Sequence, residues 1–307
     1  MKEFVTVFTA LYNRKALLPR LYESLAAQTS YDFEWVICDD HSTDGSYELA
    51  REYAESEVRF PVRVFRAERN GGKHRAVNIG ASVAQGFLFF IVDSDDALAP
   101  DAIAKIHAWE QTIRGEQGFA GLGFLKADLS GTPVGTTFPE QTCDCTSLER
   151  EAHRIRGDKA EVFYTEVIRR YPFPEFEGET FLTEDVVWDR IAHAGLRLRW
   201  INEVIYLCEY QSDGLSANWD RNMASNPRGY ALFLKQKMDF KPCAGYDRFL
   251  CVYGYYYTVN LVKKHSMKYA CDQLDYPVWK AYCYRPIRKG HRIWGRVCSL
   301  LGGRKWE

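Results

Sequence analysis

No stretch of the 307-residue sequence reaches the roughly 18 consecutive apolar residues that a membrane-spanning helix needs. An excess of one charge is missing as well. The 40 Lys and Arg against 41 Asp and Glu leave a net charge of −1, which argues against a dedicated nucleic-acid binder. The opening residues Met1-Lys2-Glu3-Phe4-Val5 lead into a strand pattern without a signal-peptide apolar core, so a cytoplasmic chain is expected. The 7 histidines form no H-x-H or H-E-x-x-H pattern. The 9 cysteines are scattered, mostly among apolar or aromatic neighbours, as in Ile37-Cys38 and Leu207-Cys208. Cys143 and Cys145 are their one close pair, with no second pair and no histidine at zinc-finger spacing, so reduced buried thiols are expected. Neither G-x-G-x-x-G nor G-x-x-x-x-G-K-[ST] follows the first strand. Thr9-Ala10-Leu11-Tyr12-Asn13-Arg14 stands there instead, which demotes hydride transfer and P-loop NTP hydrolysis. There is no internal repeat and no low-complexity segment.

What is present suits one large α/β domain with a smaller extension, because 46% hydrophobic and 26% charged residues can supply a core and a soluble surface. Strands are predicted over 4–9, 34–39, 62–66 and 87–92, and helices over 15–27, 46–56, 74–84 and 101–111. This alternation implies βαβ crossovers and a mainly parallel, Rossmann-like sheet flanked by helices. Further on, strands are expected over 119–125, 161–168 and 204–210, a polar loop over 132–147, and a helix over 183–194. From about residue 227 the pattern turns helical and tyrosine-rich, and from 263 it gains Lys and Arg. The expected division is therefore 1–225, split into a nucleotide-binding half (1–110) and a less regular half (111–225), followed by a helical basic extension (226–307).

The most informative feature is Asp93-Ser94-Asp95-Asp96, which ends the apolar run Phe87-Leu88-Phe89-Phe90-Ile91-Val92. Asp93 and Asp95 are one residue apart and point the same way where a strand ends. In open α/β sheets ligands bind at the carboxyl ends of the strands. Hard divalent cations prefer oxygen ligands, and Mg²⁺ often takes one or two carboxylates plus substrate phosphates. The spacing thus suggests a metal held against a diphosphate. An acidic loop that caps the helix near Asp101 accounts for the same four residues.

An ordered set of motifs goes further. Thr9-Ala10-Leu11-Tyr12-Asn13, then Asp39-Asp40-His41-Ser42-Thr43-Asp44-Gly45-Ser46, then Asn70-Gly71-Gly72-Lys73-His74-Arg75-Ala76-Val77-Asn78-Ile79-Gly80 come in sequence. Ala84-Gln85-Gly86 and the acidic tetrapeptide follow, and Thr183-Glu184-Asp185 is a later echo. Together they resemble the family 2 glycosyltransferases of GT-A fold.

The resemblance implies an inverting transferase that moves a sugar from a nucleoside-diphosphate sugar, commonly a UDP-sugar, to a saccharide or lipid-linked acceptor with Mn²⁺ or Mg²⁺. It implies a base pocket lined by Thr9, Ala10, Tyr12 and Asn13, with Asp40 accepting from the imide N–H of the base. Asp93 would lie near the ribose or the metal waters, Ser94 would belong to the nucleotide-sugar site, and Asp95 would hold the metal together with Asp93. Lys73 opens a helix after two glycines, where backbone N–H groups and an ammonium suit a diphosphate, although a solvated lysine is common in such a turn. Asn78 and Gly80 are expected to serve helix packing, and Ser46 to cap its helix. Asp185 would be the general base, while Thr183-Glu184-Asp185 also reads as an ordinary helix start. Relatives often carry a further histidine near the end of the last core strand. Here that stretch reads Glu209-Tyr210-Gln211-Ser212-Asp213-Gly214, either a plain turn or a place where Asp213 nears the metal.

A sugar-1-phosphate nucleotidyltransferase would want a glycine-rich basic loop after the first strand. A non-catalytic nucleotide-sugar-binding protein would not need Asp93, Asp95 and Asp185 together. Beyond residue 285, basic residues alternate with apolar ones at 293, 294, 297, 300 and 301. That pattern suits a helix docking on anionic membrane, or equally one packed on the protein.

Overall fold

The structure, a computed structural model, describes residues 4–209 and 218–284. The Ser212-Asp213-Gly214 turn and the basic segment from residue 285 lie outside the described residues. Two compact units are present, Met1–Glu175 with Val187–Tyr210 and Phe176–Val186 with Gln211–Glu307. The second unit therefore begins earlier in the chain than the expected extension and takes in a short segment ahead of it.

In the first unit the chain runs β1 (Val5–Leu11), α1 (Leu18–Ala26), β2 (Phe33–Asp39), α2 (Ser46–Ser56), β3 (Val62–Arg66), α3 (Lys73–Val83) and β4 (Leu88–Ile91). This is the alternation the apolar pattern predicts. Every residue of β2 is buried and all but one of β1, as expected for parallel strands covered on both faces. Leu18, Leu21 and Leu25 form the buried stripe of α1, and Pro19 in its first turn is preset for helix. The chain continues through β5 (Ala97–Leu98), α4 (Ala102–Glu110), β6 (Phe119–Asp128), β7 (Thr142–Cys145), β8 (Lys159–Tyr164), α5 (Thr165–Arg170), α6 (Asp185–His193) and β9 (Arg197–Cys208).

The strands make one open mixed sheet in the order β3-β2-β1-β4-β8-β6-β9-β5, with β7 also on β9. Its first four strands are mutually parallel, and β6 pairs parallel with β9. Strand β8 enters antiparallel between β4 and β6.

Several expectations for the middle region are corrected. The strand expected over 161–168 stops at Tyr164. There the Thr165 hydroxyl donates to Gly86 O (2.7 Å) and its N–H to Phe87 O (3.0 Å), which turns the chain into α5. The polar loop over 132–147 contains β7, whose pairing with β9 no local period announces. Strand β9 begins at Arg197 rather than at 204, and helix α6 begins at Asp185 rather than at 183.

After its irregular 176–184 stretch, the described elements of the second unit are helices: α7 (Trp219–Ser225), α8 (Pro227–Phe240), α9 (Gly245–Val259), α10 (Met267–Gln273) and α11 (Val278–Tyr284). Phe249, Leu250, Val252 and Tyr255 of α9 are buried, and the Tyr255 hydroxyl donates to Pro227 O (3.1 Å). The Asn226 side chain accepts from the N–H groups of Thr180 (2.8 Å) and Phe181 (3.1 Å), which ties the 176–186 segment to the start of α8. No described helix is long and apolar enough to cross a membrane.

Helix α3 lies tight on β1, and Gly80 allows it: a Cβ there would run into the Phe8 ring, itself stacked on Phe89 at 5.3 Å. Gly80→Ala should destabilise the chain by about 1–3 kcal/mol, the usual cost of overpacking a filled core. A urea midpoint equal to that of the parent would show that the interface can yield.

Candidate active site

The carboxyl ends of β1, β2, β3 and β4 share one edge of the sheet, the edge at which α/β folds bind ligands. The loops along this edge are tied to one another. Asn13, held in the left-handed region at φ 50°, accepts from Thr43 N–H (2.9 Å), and its own N–H donates to Ser42 Oγ (3.0 Å). Buried Asp39 accepts twice from Ser42 N–H (3.3 and 3.1 Å) and meets Arg66 at 3.3 Å. Asp40, also buried, accepts from Gly71 N–H through one oxygen (2.8 Å) and from Gly72 N–H through the other (2.7 Å). Each oxygen keeps a further acceptor site. Gly72, at φ 88°, then leads into α3 with Lys73 as its first residue.

Two expectations fail on this edge. Thr9 does not face a pocket: it is fully buried, and its hydroxyl accepts from the Trp35 indole N–H (3.0 Å). Ser46 is not the cap of α2. Gly45 holds the cap position, while Ser46 N–H donates to Asp44 Oδ1 (2.9 Å) and Ser46 Oγ accepts from Arg14 N–H (2.9 Å). Ala10 is half-buried and Tyr12 is 45% exposed, so both still border the edge. Asn78 does serve packing, bonding Phe173 O (2.9 Å) and Phe173 N–H (2.8 Å).

The acidic loop leaves β4 directly after Val92 N–H donates to Phe8 O (2.8 Å). Asp93 N–H then donates to the Tyr206 hydroxyl (3.0 Å), which in turn donates to Asp96 Oδ2 (2.7 Å). Asp96 Oδ1 accepts from Glu209 N–H (3.2 Å). Beyond the loop, β5 pairs with β9 at Ala97↔Leu207 and Leu98↔Tyr206, so both ends of the tetrapeptide are anchored. Ser94 is buried, whereas the side chains of Asp93 and Asp95 keep 36% and 20% of their surface in contact with water.

The charges in the loop are unequal. Lys73 Nζ lies 2.5 Å from Asp93 Oδ1. Burial pushes the Asp93 pKa up, but the ammoniums of Lys73 and Lys126 outweigh it and hold it below the ordinary carboxylate value. Asp95 is raised, by burial first and by the Asp93 charge second. Asp96 is pushed up to about 7, again by burial and then by Asp93. Arg14 Nε stands 3.9 Å from Asp95, and Arg20 donates to Asp95 O (3.2 Å) while pairing with Glu209 at 2.9 Å. Lys126 lies over the Tyr206 ring at 4.2 Å. Arg14 adjoins a sequence motif and could have been included with it. Tyr206, Lys126 and Arg20 carry no signal in the sequence, because separate strands and a helix bring them to the loop.

Asp93 and Asp95 suit a hard divalent cation. They offer two carboxylate oxygens whose mutual repulsion, visible in the raised Asp95, a cation would relieve, and phosphate or water oxygens can complete such a shell. Asp185 is the first residue of α6 and lies in the second unit's 176–186 segment. It is 45% exposed, with Lys237 Nζ 3.8 Å from its carboxylate.

Residues 6–110 match the sequence profile of Glycosyl transferase family 2, the stretch that carries the ordered motifs, which bears out the resemblance. An "Uncharacterized glycosyltransferase" of Haemophilus influenzae is 37% identical over 102 residues, 33% of each chain. The chain spans about a third of the length of the curated relatives it matches first. Among solved structures, S. aureus TarS 1-349 in complex with UDP-GlcNAc superposes with a TM-score of 0.60 at 18% identity, covering 92% of both chains. The mannosyltransferase PcManGT from Pyrobaculum calidifontis, in complex with GDP-Man and Mn²⁺, gives a TM-score of 0.58 at 18% identity over 97% of this chain and 84% of that one. The fold is thus that of the GT-A glycosyltransferases.

Tyr206→Phe keeps the ring packing but strips the partner from Asp93 N–H and from Asp96. The expected cost is about 1–3 kcal/mol of stability, the penalty for leaving buried polar groups unpaired. Equal unfolding midpoints for the two proteins would show that water replaces the hydroxyl.

Proposed function

We propose that the protein transfers a sugar, with inversion at the anomeric carbon, from a nucleoside-diphosphate sugar to a hydroxyl of a saccharide or lipid-linked acceptor. A UDP-sugar is the donor favoured, and Mn²⁺ or Mg²⁺ the metal. The observation that carries this reading is the placement of Asp93 and Asp95. They project from an anchored loop at the carboxyl edge of parallel strands, within the segment that matches the family. UDP-GlcNAc in TarS, and GDP-Man with Mn²⁺ in PcManGT, support a nucleotide-sugar donor and a divalent cation.

On this reading Asp93 and Asp95 hold the cation. When bound, it would supply positive charge to offset the charge that develops on the departing diphosphate. Ala10, Tyr12 and Asn13 border the base, and Asp40 offers its remaining acceptor sites to the base N–H while its bonds to Gly71 and Gly72 fix the start of α3. Ser94 belongs to the nucleotide-sugar site. Lys73, already beside Asp93, brings an ammonium to the diphosphate. Asp185 accepts the proton of the acceptor hydroxyl as its oxygen bonds to the anomeric carbon and the bond from that carbon to the diphosphate oxygen breaks. Its place at the start of α6, matching the family echo Thr183-Glu184-Asp185, supports this role. A cytoplasmic setting is proposed with the donor, and contact of residues 285–307 with an anionic membrane remains a proposal from sequence.

Asp95→Ala should lower metal-dependent transfer by about 10²–10³ without unfolding the chain, the usual loss when a group aimed at developing charge is removed. Activity within a few-fold of the parent, insensitive to EDTA, would remove the metal from the reaction.

Asp185→Asn has nearly the same shape but cannot take a proton. It should bind nucleoside diphosphate in calorimetry as the parent does, while transfer falls by about 10²–10⁴. Normal transfer by Asp185→Asn together with loss in Glu184→Gln would move the base to Glu184.

A further inference from the structure

Away from the acidic edge, the strand and turn at 142–155 bring together three side chains that the linear spacing kept apart. Strand β7 runs antiparallel to β9, with Cys143 opposite Trp200 and Cys145 opposite Leu198. Residues two apart on a strand share a face. Asp144, on the other face, is fixed by a bidentate pair with Arg199 (2.8 and 2.6 Å), and Cys145 O accepts the Trp200 indole N–H (3.0 Å). The two thiols are therefore set side by side by a well-anchored strand.

The chain then folds back. Thr146 N–H and Oγ1 both donate to Glu149 Oε2 (2.9 Å each), and Glu149 O accepts from the N–H groups of Ala152 (3.0 Å) and His153 (3.3 Å). Arg154, at φ 61°, and the bond from Ile155 N–H to Arg150 O (2.9 Å) complete the turn. As a result the sulfurs of Cys143 and Cys145 and a ring nitrogen of His153 all lie within 4.8 Å of one another. Cys145 is buried, Cys143 half-buried and His153 exposed, so the cluster opens to solvent on one side.

We propose that Cys143, Cys145 and His153 form a binding site for a thiophilic divalent metal ion, zinc in the first place, that pins the 146–155 turn to β7. Zinc–sulfur bonds of about 2.3 Å and zinc–nitrogen bonds of about 2.0–2.1 Å place tetrahedral donors roughly 3.5–3.8 Å apart. Small side-chain rotations bring the three atoms to that spacing. Two thiolates and an imidazole select zinc over the hard cations suited to Asp93 and Asp95, so the two sites differ in chemistry as well as place. Each thiol releases its proton to solvent as its sulfur binds. The fourth position is left for water. Both thiols are free in the structure, and a disulfide between them is disfavoured. Same-face neighbours on a strand have Cα atoms about 6.6 Å apart, near the limit of disulfide geometry.

The test uses the full chain, purified under reducing conditions, and dialysed against Zn²⁺ and separately Co²⁺ in excess Mg²⁺. One zinc per chain and a cobalt–thiolate charge-transfer band are expected. Cys143→Ser should abolish that band. His153→Gln, on an exposed residue whose loss leaves the fold in place, should weaken zinc binding about tenfold or more. Cys283→Ser, at an exposed cysteine in the other unit, should match the parent. Cobalt bound without the thiolate band, zinc affinity unchanged by His153→Gln, or a Cys143–Cys145 disulfide in place of metal would each overturn the site.

Discussion

The Tyr206 hydroxyl holds the acidic loop in place. It accepts from Asp93 N–H and donates to Asp96, so one buried oxygen fixes both ends of a four-residue turn. Burial is costly for these carboxyl groups, and the nearby Asp93 charge adds to the cost, which is why Asp95 and Asp96 are pushed up. A hydroxyl can serve a proton donor and a proton acceptor together, whereas a phenylalanine of the same shape can serve neither. Burial also raises the Tyr206 pKa well above its ordinary value, so the phenol keeps the proton it gives to Asp96. The remaining charge is offset from outside the loop by Lys73, Lys126, Arg14 and Arg20.

This arrangement depends on β9. Its register with β6 sets Lys126 opposite Tyr206, and its register with β5 sets Tyr206 opposite Leu98. The loops on the other strands are fixed by a second device, side chains that bond backbone N–H groups of a neighbouring loop. Asn13 holds Thr43, and Asp40 holds Gly71 and Gly72. Groups positioned before a ligand arrives need not be reorganised during reaction, and such preorganisation is the main source of electrostatic catalysis. The proposed transferase chemistry asks for an edge of this kind.

The first half of the fold was legible because its signals are local. Buried runs such as Val5–Leu11 and the leucine stripe of α1 declare themselves within ten residues. The second half was not, because its decisive pairings are distant. Strand β7 is a polar tetrapeptide that becomes a strand only by lying on β9, and the chain leaves β8 at Thr165 because Gly86 and Phe87, about eighty residues earlier, offer it carbonyls. Helix capping at Ser46 was misread for a local reason. Gly45 takes the cap position, so Ser46 is already inside the helix, and its hydroxyl donates to Asp44 Oδ1 (2.5 Å) and accepts from Arg14 N–H instead of from the first helical N–H groups.

The candidate site divides along the same line. Asp93, Asp95 and Lys73 could be named from the sequence because each sits in a short motif at a strand end or helix start. Thr9 belonged to such a motif too, yet both faces of β1 are covered, so its side chain is buried and its hydroxyl is taken by Trp35, a partner 26 residues away that the motif does not contain. Tyr206 lies 110 residues from Asp96, and nothing between them marks the pair. The same limit hid the cluster at Cys143, Cys145 and His153. Ligand spacing in a sequence can be read only when the connecting backbone is a known turn, and here the return of His153 depends on Thr146 and Glu149 closing one that no common zinc pattern contains. Motifs record neighbours along the chain, whereas a charged site is set by whatever the fold brings within a few ångströms to balance it.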